Sequence, residues 1–354
     1  MFIETNDGSI EDKNGRVIYF SIDRFIRDIG EGDCCFICGA SPSKTEFNNE
    51  HILPKWILKR YDLFSTTITL SNETSFRYDQ YTVPCCQQCN SLMGEKIEQP
   101  ISELINQGFN AVAEHIQKNN GYWLFFVWLN LIFLKTHLKD KSLKLHKDSR
   151  QGNGMISDFY TWERLHHIHC IARSFYTGCK LDFKVMGSFL LLPAKIEDYY
   201  DKFDYTDLYD SKAVLLRLDD IGFITILNDS RFSSYCFQNY LELISGALSP
   251  IQLREILAHL AFINLNLKER PTFYSKTDFQ REHYEILANV PEQIAINNYD
   301  RGDFGAILDY CTKGYLDQDA NPEIEFIKQQ VKQGKYTFLV DEKNSFISDS
   351  TKLC

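Results

Sequence analysis

The sequence predicts an α+β fold, with a small zinc-stapled module of two strands and a helix near the N-terminus and a larger mixed domain after it. Three observations predict this. Six of the eleven cysteines crowd between Cys34 and Cys89, as "CCFIC" and "CCQQC". Runs such as "TTITLSNETSFRYDQYTV" and "AVLLRLDDIGFITILND" have the β-branched and aromatic composition of hairpins. "LSPIQLREILAHLAFINLNLKER" puts Leu253, Ile256, Leu257, Leu260 and Leu267 on one helical stripe. A chain of 354 residues, 44% of them hydrophobic, has the material for more than one core.

Residues 1–30 read as an arm, with a strand at Val17–Phe20 and a helical turn capped by Ser21 and ended by Gly30. Residues 31–98 hold both cysteine clusters, and the two strands between them are expected to join at Asn72. Gln99-Pro100 reads as a break, since proline is tolerated in a helix's first turn and not inside it, with a new helix over Ile101–Gln117. Residues 99–152 form a helical connector; its apolar run Tyr122–Leu134 reads as a buried helix, and "KTHLKDKSLKLHKDSR" is its basic linker. Residues 153–354 form the α+β domain, with hairpins turned at Asp219-Asp220 and Lys343-Asn344 and a helix begun by Ser249, Pro250 and Gln252 as a capping box. The acidic "EDYYDKFDYTDLYD" reads as an exposed loop.

Several classes are excluded or disfavoured. The longest apolar run, thirteen residues, is well short of the about 20 a spanning helix needs, so no membrane partner is expected. The N-terminus carries acids where a secretory leader carries bases, which predicts a cytoplasmic protein. Clustered cysteines in that compartment favour metal over disulfides. The formal net charge of −10 opposes nucleic-acid binding by charge alone.

Cys35-x-x-Cys38 and Cys86-x-x-Cys89 each set two thiolates on one side of a tetrahedral Zn²⁺, while Cys34 and Cys85 have no partner at that spacing and read as packing residues. By itself this is a structural zinc. Glu50-His51 follows the first pair in "EHILPKW", however, and Asn90 follows the second in "CCQQCNSLMGEK". A zinc joining the pairs is expected to draw Glu50, His51 and Asn90 towards one point.

On these residues the segment 31–98 resembles the HNH endonucleases, the zinc-ribbon branch of the ββα-metal (His-Me finger) nucleases: two CxxC pairs, an acid-His-apolar-apolar-Pro run, and Cys-Asn followed by Gly94 and Lys96. The resemblance implies a metal-dependent hydrolase of DNA phosphodiesters, of the kind common in bacterial restriction and antiphage defence. It implies His51 as general base, Glu50 and Asn90 as ligands of a catalytic Mg²⁺ or Mn²⁺, and Lys96 on a neighbouring phosphate. The family's middle residue falls on Tyr81 by spacing, with Asn72 and Asp79 as nearby polar alternatives. Lys135, Lys139, Lys141, Lys144, Lys147 and Arg150 are the concentrated positive charge available for phosphate contact. Because acids outnumber bases within 31–98, binding is expected to need these, a homo-oligomer or an activating partner. The rival reading is a non-catalytic zinc-ribbon adaptor for nucleic acid or protein. "ERLHHIHC", where Glu163, His166, His167 and Cys170 share a helix face, reads as helix surface.

Overall fold

The computed structural model describes residues 1–70, 72, 74–119, 121–317 and 321–348. The chain forms two compact units, each discontinuous in sequence: Met1–Asn106 with Gly121–Val185 and Phe273–Leu287, and Gln107–Asn120 with Met186–Thr272 and Ala288–Cys354. The span 31–98 lies wholly in the first unit, while 99–152 and 153–354 each contribute to both.

In the first unit a three-stranded antiparallel sheet, Ile3–Glu4, Ile10–Glu11 and Val17–Tyr19, leads into the turn of helix that Ser21 caps by accepting from the Arg24 N–H. Strand β1 (Phe47–His51) then pairs antiparallel with β2 (Thr82–Cys86), in a register running from Phe47 opposite Cys86 to His51 opposite Thr82. Helix α1 (Gln87–Met93) starts directly from Cys86. The expected strand–strand–helix order is present, but its two strands are not the pair read as joined at Asn72. The hairpin read between the cysteine pairs, Thr67–Thr69 against Ser75–Arg77, is an excursion between β1 and β2. The sequence of β1, Phe-Asn-Asn-Glu-His, has little intrinsic strand preference and is held by its pairing with β2.

The expected break at Gln99-Pro100 is not one. Helix continues from α1 through a π-helical stretch, Gly94–Glu98, into Gln99–Ile105. The wider π turn lies where the ring of Pro100 would otherwise meet the carbonyl four residues back, so the chain passes through without stopping. The separate helix Phe109–Asn119 belongs to the second unit. Helix α2 (Tyr122–Lys139) is buried from Phe125 to Leu138, as its apolar run predicts, and that burial extends to Lys135. Helix α3 (Glu163–Ala172) is not the helix surface expected. His166 Nε2 lies 2.7 Å from the Phe20 carbonyl, the His167 ring stacks on Phe273 at 3.6 Å, and His169 and Cys170 are buried. Its histidines serve packing.

The second unit is built on an antiparallel sheet of β3 (Ser188–Pro193), β4 (Phe203–Leu208), β5 (Ala213–Leu218) and β6 (Ile221–Ile226), in the order β4-β5-β6-β3. Helix α4 (Pro250–Leu265) begins with the predicted capping box and packs its leucine stripe on β5 and β6, with α5 (Arg301–Leu316) against α4 and α6 (Pro322–Lys332) against α5. The acidic stretch expected as a loop contributes strand β4, because Asp204 is neutralised by Arg254 at 2.8 Å and Phe203–Leu208 can complete the sheet edge. The turn at Asp219-Asp220 is as read; "KYTFLVDEKNSFI" forms only the bridge Val340–Phe346 around Asn344. Among the described residues no helix is long and apolar enough to cross a membrane.

Candidate metal centre and the residues around it

The first knuckle is a loop whose chain reverses at Gly39: its N–H donates to the Cys35 carbonyl, the Cys35 N–H donates to the Ala40 carbonyl, and the Ala40 N–H points at Cys38 Sγ, 3.4 Å away. Gly39 has φ +77°, and a Cβ there would stand 2.7 Å from the Phe20 ring, so only glycine fits. The second knuckle straddles the junction of β2 and α1, with Cys86 ending the strand and Cys89 on the first turn of the helix. Their ligand atoms, the sulfurs of Cys35, Cys38, Cys86 and Cys89, all lie within 4.8 Å of one another. Zn–S bonds of about 2.3 Å in a tetrahedron place sulfurs about 3.8 Å apart, and the Cys38–Cys86 separation is 3.6 Å. The four cysteines fit a zinc ion, in the register the spacing predicted. Cys85, one residue off, is buried, and Cys34 is half-buried.

Helix α3 and Arg173, which follows its last residue, hold this centre from outside. His169 Nε2 sits 2.8 Å from the Phe36 carbonyl, and the Arg173 guanidinium donates to the carbonyls of Ile37, Ile18 and Val17 while lying over the Phe20 ring at 4.5 Å. Phe36 and Ile37 are the two residues between the ligands of the first knuckle. Arg173 is 1% exposed and, among the described residues, forms no ion pair with a carboxylate.

The Glu-His pair lies at the end of β1, where successive side chains leave a strand on opposite faces. Their partners differ accordingly. His51 is half-buried, its ring edge-on to Phe64, and its Nδ1 is buried with no hydrogen-bond partner. Burial lowers its pKa, with Lys55 and then Lys135 adding while Glu50 and Asp79 oppose, so the imidazole is neutral at pH 7. Glu50 is buried and turns to Lys135 of α2: the Lys135 ammonium donates to Glu50 Oε1 at 2.8 Å and to the His51 carbonyl at 2.8 Å, with Glu98 Oε1 at 3.6 Å. Glu98, on the π stretch, has its carboxyl pushed up to about 7 by burial, with Glu50 adding and Lys135 opposing. Asn90 is tied back to β1 by a 2.8 Å hydrogen bond from its Nδ2 to Asn48 Oδ1.

For a divalent ion, Glu50 and Asn90 have oxygens of the right hardness, but the arrangement does not fit. Glu50 is already bonded to a buried ammonium, and an ion bound at about 2.1 Å to that carboxylate would stand within roughly 4–5 Å of it. At an effective dielectric of about 20 the repulsion of a 2+ charge there is about 7–8 kcal/mol.

Of the candidates for the family's middle residue, Asn72 closes its own turn by accepting from Thr74, and the Tyr81 carbonyl accepts from the Ile52 N–H. Asp79, paired with Arg77, is the one whose charge acts on His51. The basic stretch is divided. Lys135 is buried; Lys141 donates to the carbonyls of Ile29 and Gly32; Lys139 is half-buried over the Phe76 ring. Lys144, Lys147 and Arg150 are exposed, Arg150 pairing with Asp148, and exposed Lys96 pairs with Glu95. Sequence reading missed Asn48, Lys55, Glu98, His169 and Arg173. Only Asn48 and Lys55 carry a local signal, being within a few residues of His51.

Comparison with protein-family models, with curated proteins and with solved structures returns no match for this chain.

Proposed function

We propose that the first unit is a nuclease of the HNH type that hydrolyses phosphodiester bonds in DNA, with His51 as its general base. The observation that carries the reading is the placement of His51: a neutral imidazole with an unpartnered Nδ1, at the end of a strand in a strand–strand–helix unit whose two cysteine pairs fit one zinc ion. A water brought to the imidazole gives up its proton as its oxygen bonds to phosphorus and the 3′ oxygen leaves. Exposed Lys55, whose charge acts on His51, is suited to the phosphate, and the Asn48–Asn90 bond fixes the helix to the strand that bears the base. The Mg²⁺ or Mn²⁺ implied by the family resemblance enters as an experimental variable, because Glu50 is held by Lys135. A net charge of −10 leaves DNA capture to the exposed lysines, to a second copy or to a partner protein.

The Glu50–Lys135 ion pair favours a second reading, a non-catalytic zinc-ribbon adaptor, because it consumes the carboxylate a nuclease of this type would give to its ion. One experiment separates the two: purified protein with supercoiled plasmid in Mg²⁺, Mn²⁺ or EDTA, beside His51→Ala. Cleavage lost in His51→Ala, by about 10²- to 10⁴-fold for a general base, with zinc content unchanged, supports the nuclease. No cleavage by the wild type under any condition supports the adaptor.

A further inference from the structure

A buried lysine is costly unless its charge is matched. Lys135 is 1% exposed on a largely apolar helix, yet its surroundings match it closely: one carboxylate oxygen at 2.8 Å, a backbone carbonyl at 2.8 Å and a second carboxylate at 3.6 Å. These come from two elements other than its own, since Glu50 and His51 end β1 and Glu98 lies on the π stretch after α1, while Lys135 is on α2. An ammonium with three oxygens drawn from a strand end and a neighbouring helix is what a bound hard cation would look like there, supplied by the chain itself.

We propose that Lys135 is the resident cation of the Glu50–Glu98 site, standing where a divalent ion would otherwise be held, so that the folded protein binds no divalent ion through Glu50. This rests on the nuclease reading only in taking Glu50 as the expected ligand. Its consequence is structural as well as chemical. Lys135 fixes both the Glu50 side chain and the His51 backbone, so the strand end that carries the base is set by an internal charge rather than by an ion from solution. Replacing Lys135 by a neutral side chain leaves two facing carboxylates with hard oxygens and no cation, which is a divalent-metal site.

The experiment uses the zinc-loaded full chain and MnCl₂ as probe, reading free Mn²⁺ by its EPR signal and thermal unfolding in parallel, on wild type, Lys135→Gln, Glu50→Gln and the double variant. Expected is no Mn²⁺ uptake by the wild type beyond that of Glu50→Gln, and one added Mn²⁺ in Lys135→Gln, with a transition temperature that rises with Mn²⁺ and a gain lost in the double variant. Mn²⁺ bound by the wild type and released by Glu50→Gln overturns the proposal. So does a folded Lys135→Gln that takes up no more than the wild type. Should Lys135→Gln not fold, the comparison of wild type with Glu50→Gln still decides, since Glu50-dependent uptake refutes the proposal and its absence upholds it. Plasmid cleavage is scored separately: a wild type that never cuts removes the nuclease reading and leaves the Mn²⁺ comparison intact.

Discussion

Arg173→Met is expected to weaken both the first unit and its hold on zinc. The guanidinium is 1% exposed and supplies donors to the carbonyls of Ile37, Ile18 and Val17. Methionine fills much of the same volume but donates nothing, and each buried acceptor left without a partner costs about 1–3 kcal/mol. Two such losses, taking Val17 and Ile37 as the best-bonded, come to about 2–6 kcal/mol. At roughly 2–4 °C per kcal/mol for a unit of this size, the transition should fall by the order of 10 °C. The second effect is electrostatic. Four thiolates around Zn²⁺ carry a net charge of 2−, and Arg173 is bonded to a carbonyl inside the first knuckle without an ion-pair partner of its own among the described residues. Its removal should therefore weaken the hold on zinc, read by equilibrium competition with a chromophoric chelator, by about 10- to 100-fold in affinity, as outer-shell losses do. Arg173→Lys keeps the charge but cannot span three carbonyls, so it should lose stability while retaining more of the zinc affinity. A transition temperature and chelator profile unchanged in Arg173→Met would refute the reasoning, and equal zinc loss in both variants would refute its electrostatic half.

Other predictions address the rest of the site. Cys86→Ser and Cys89→Ser should lose zinc by elemental analysis, while Cys34→Ser and Cys85→Ser keep it; the reverse would mean the register is wrong. If the protein cleaves DNA, the acid limb of kcat/KM should lie below pH 6.5, because burial and Lys55 lower the His51 pKa and the neutral base survives to lower pH. Lys55→Met should move that limb up towards 6.5, and an unmoved limb would separate Lys55 from the base. Neutralising Lys144, Lys147 and Arg150 together should flatten the salt dependence of DNA binding without lowering stability, whereas Lys141→Met should lower stability, since its ammonium holds the carbonyls of Ile29 and Gly32.

What was legible in the sequence follows from the range of the interactions involved. The cysteine spacing and the capping box at Ser249 and Gln252 are local patterns and appear as read, and so does the apolar stripe of α4 from Leu253 to Leu260, while Leu267 lies past the helix end in a bridge to Ile296. Strand β1 was not legible, because Phe-Asn-Asn-Glu-His becomes a strand only through pairing with residues more than 30 positions later. Nor was the support for the zinc: His169 and Arg173 reach the first knuckle from more than 130 residues away. The histidines of α3 look identical in sequence whether they face water, a metal or a packed core, and only the elements they meet decide.

Lys135 shows how such a misreading arises. Counted with Lys139, Lys141, Lys144, Lys147 and Arg150 it belongs to a basic run, and a run of bases is ordinarily solvated. But the run begins inside a helix that is buried as far as Leu138, so its members leave the core one by one. Lys135 is inside, Lys139 lies half-buried on Phe76, Lys141 is tied to backbone, and only from Lys144 onward is charge left for a phosphate. The same strand geometry that sends His51 and Glu50 to opposite faces then supplies the partner for the deepest of these lysines. The adjacency of acid and imidazole in sequence, which argues for one shared metal site, thus has a different outcome in the fold: one residue kept neutral with a buried, unpartnered nitrogen, the other neutralised inside the protein. A neutral imidazole beside a spent carboxylate is compatible with either reading, which is why cleavage assays across metal conditions, rather than the presence of the motif, distinguish a nuclease from an adaptor.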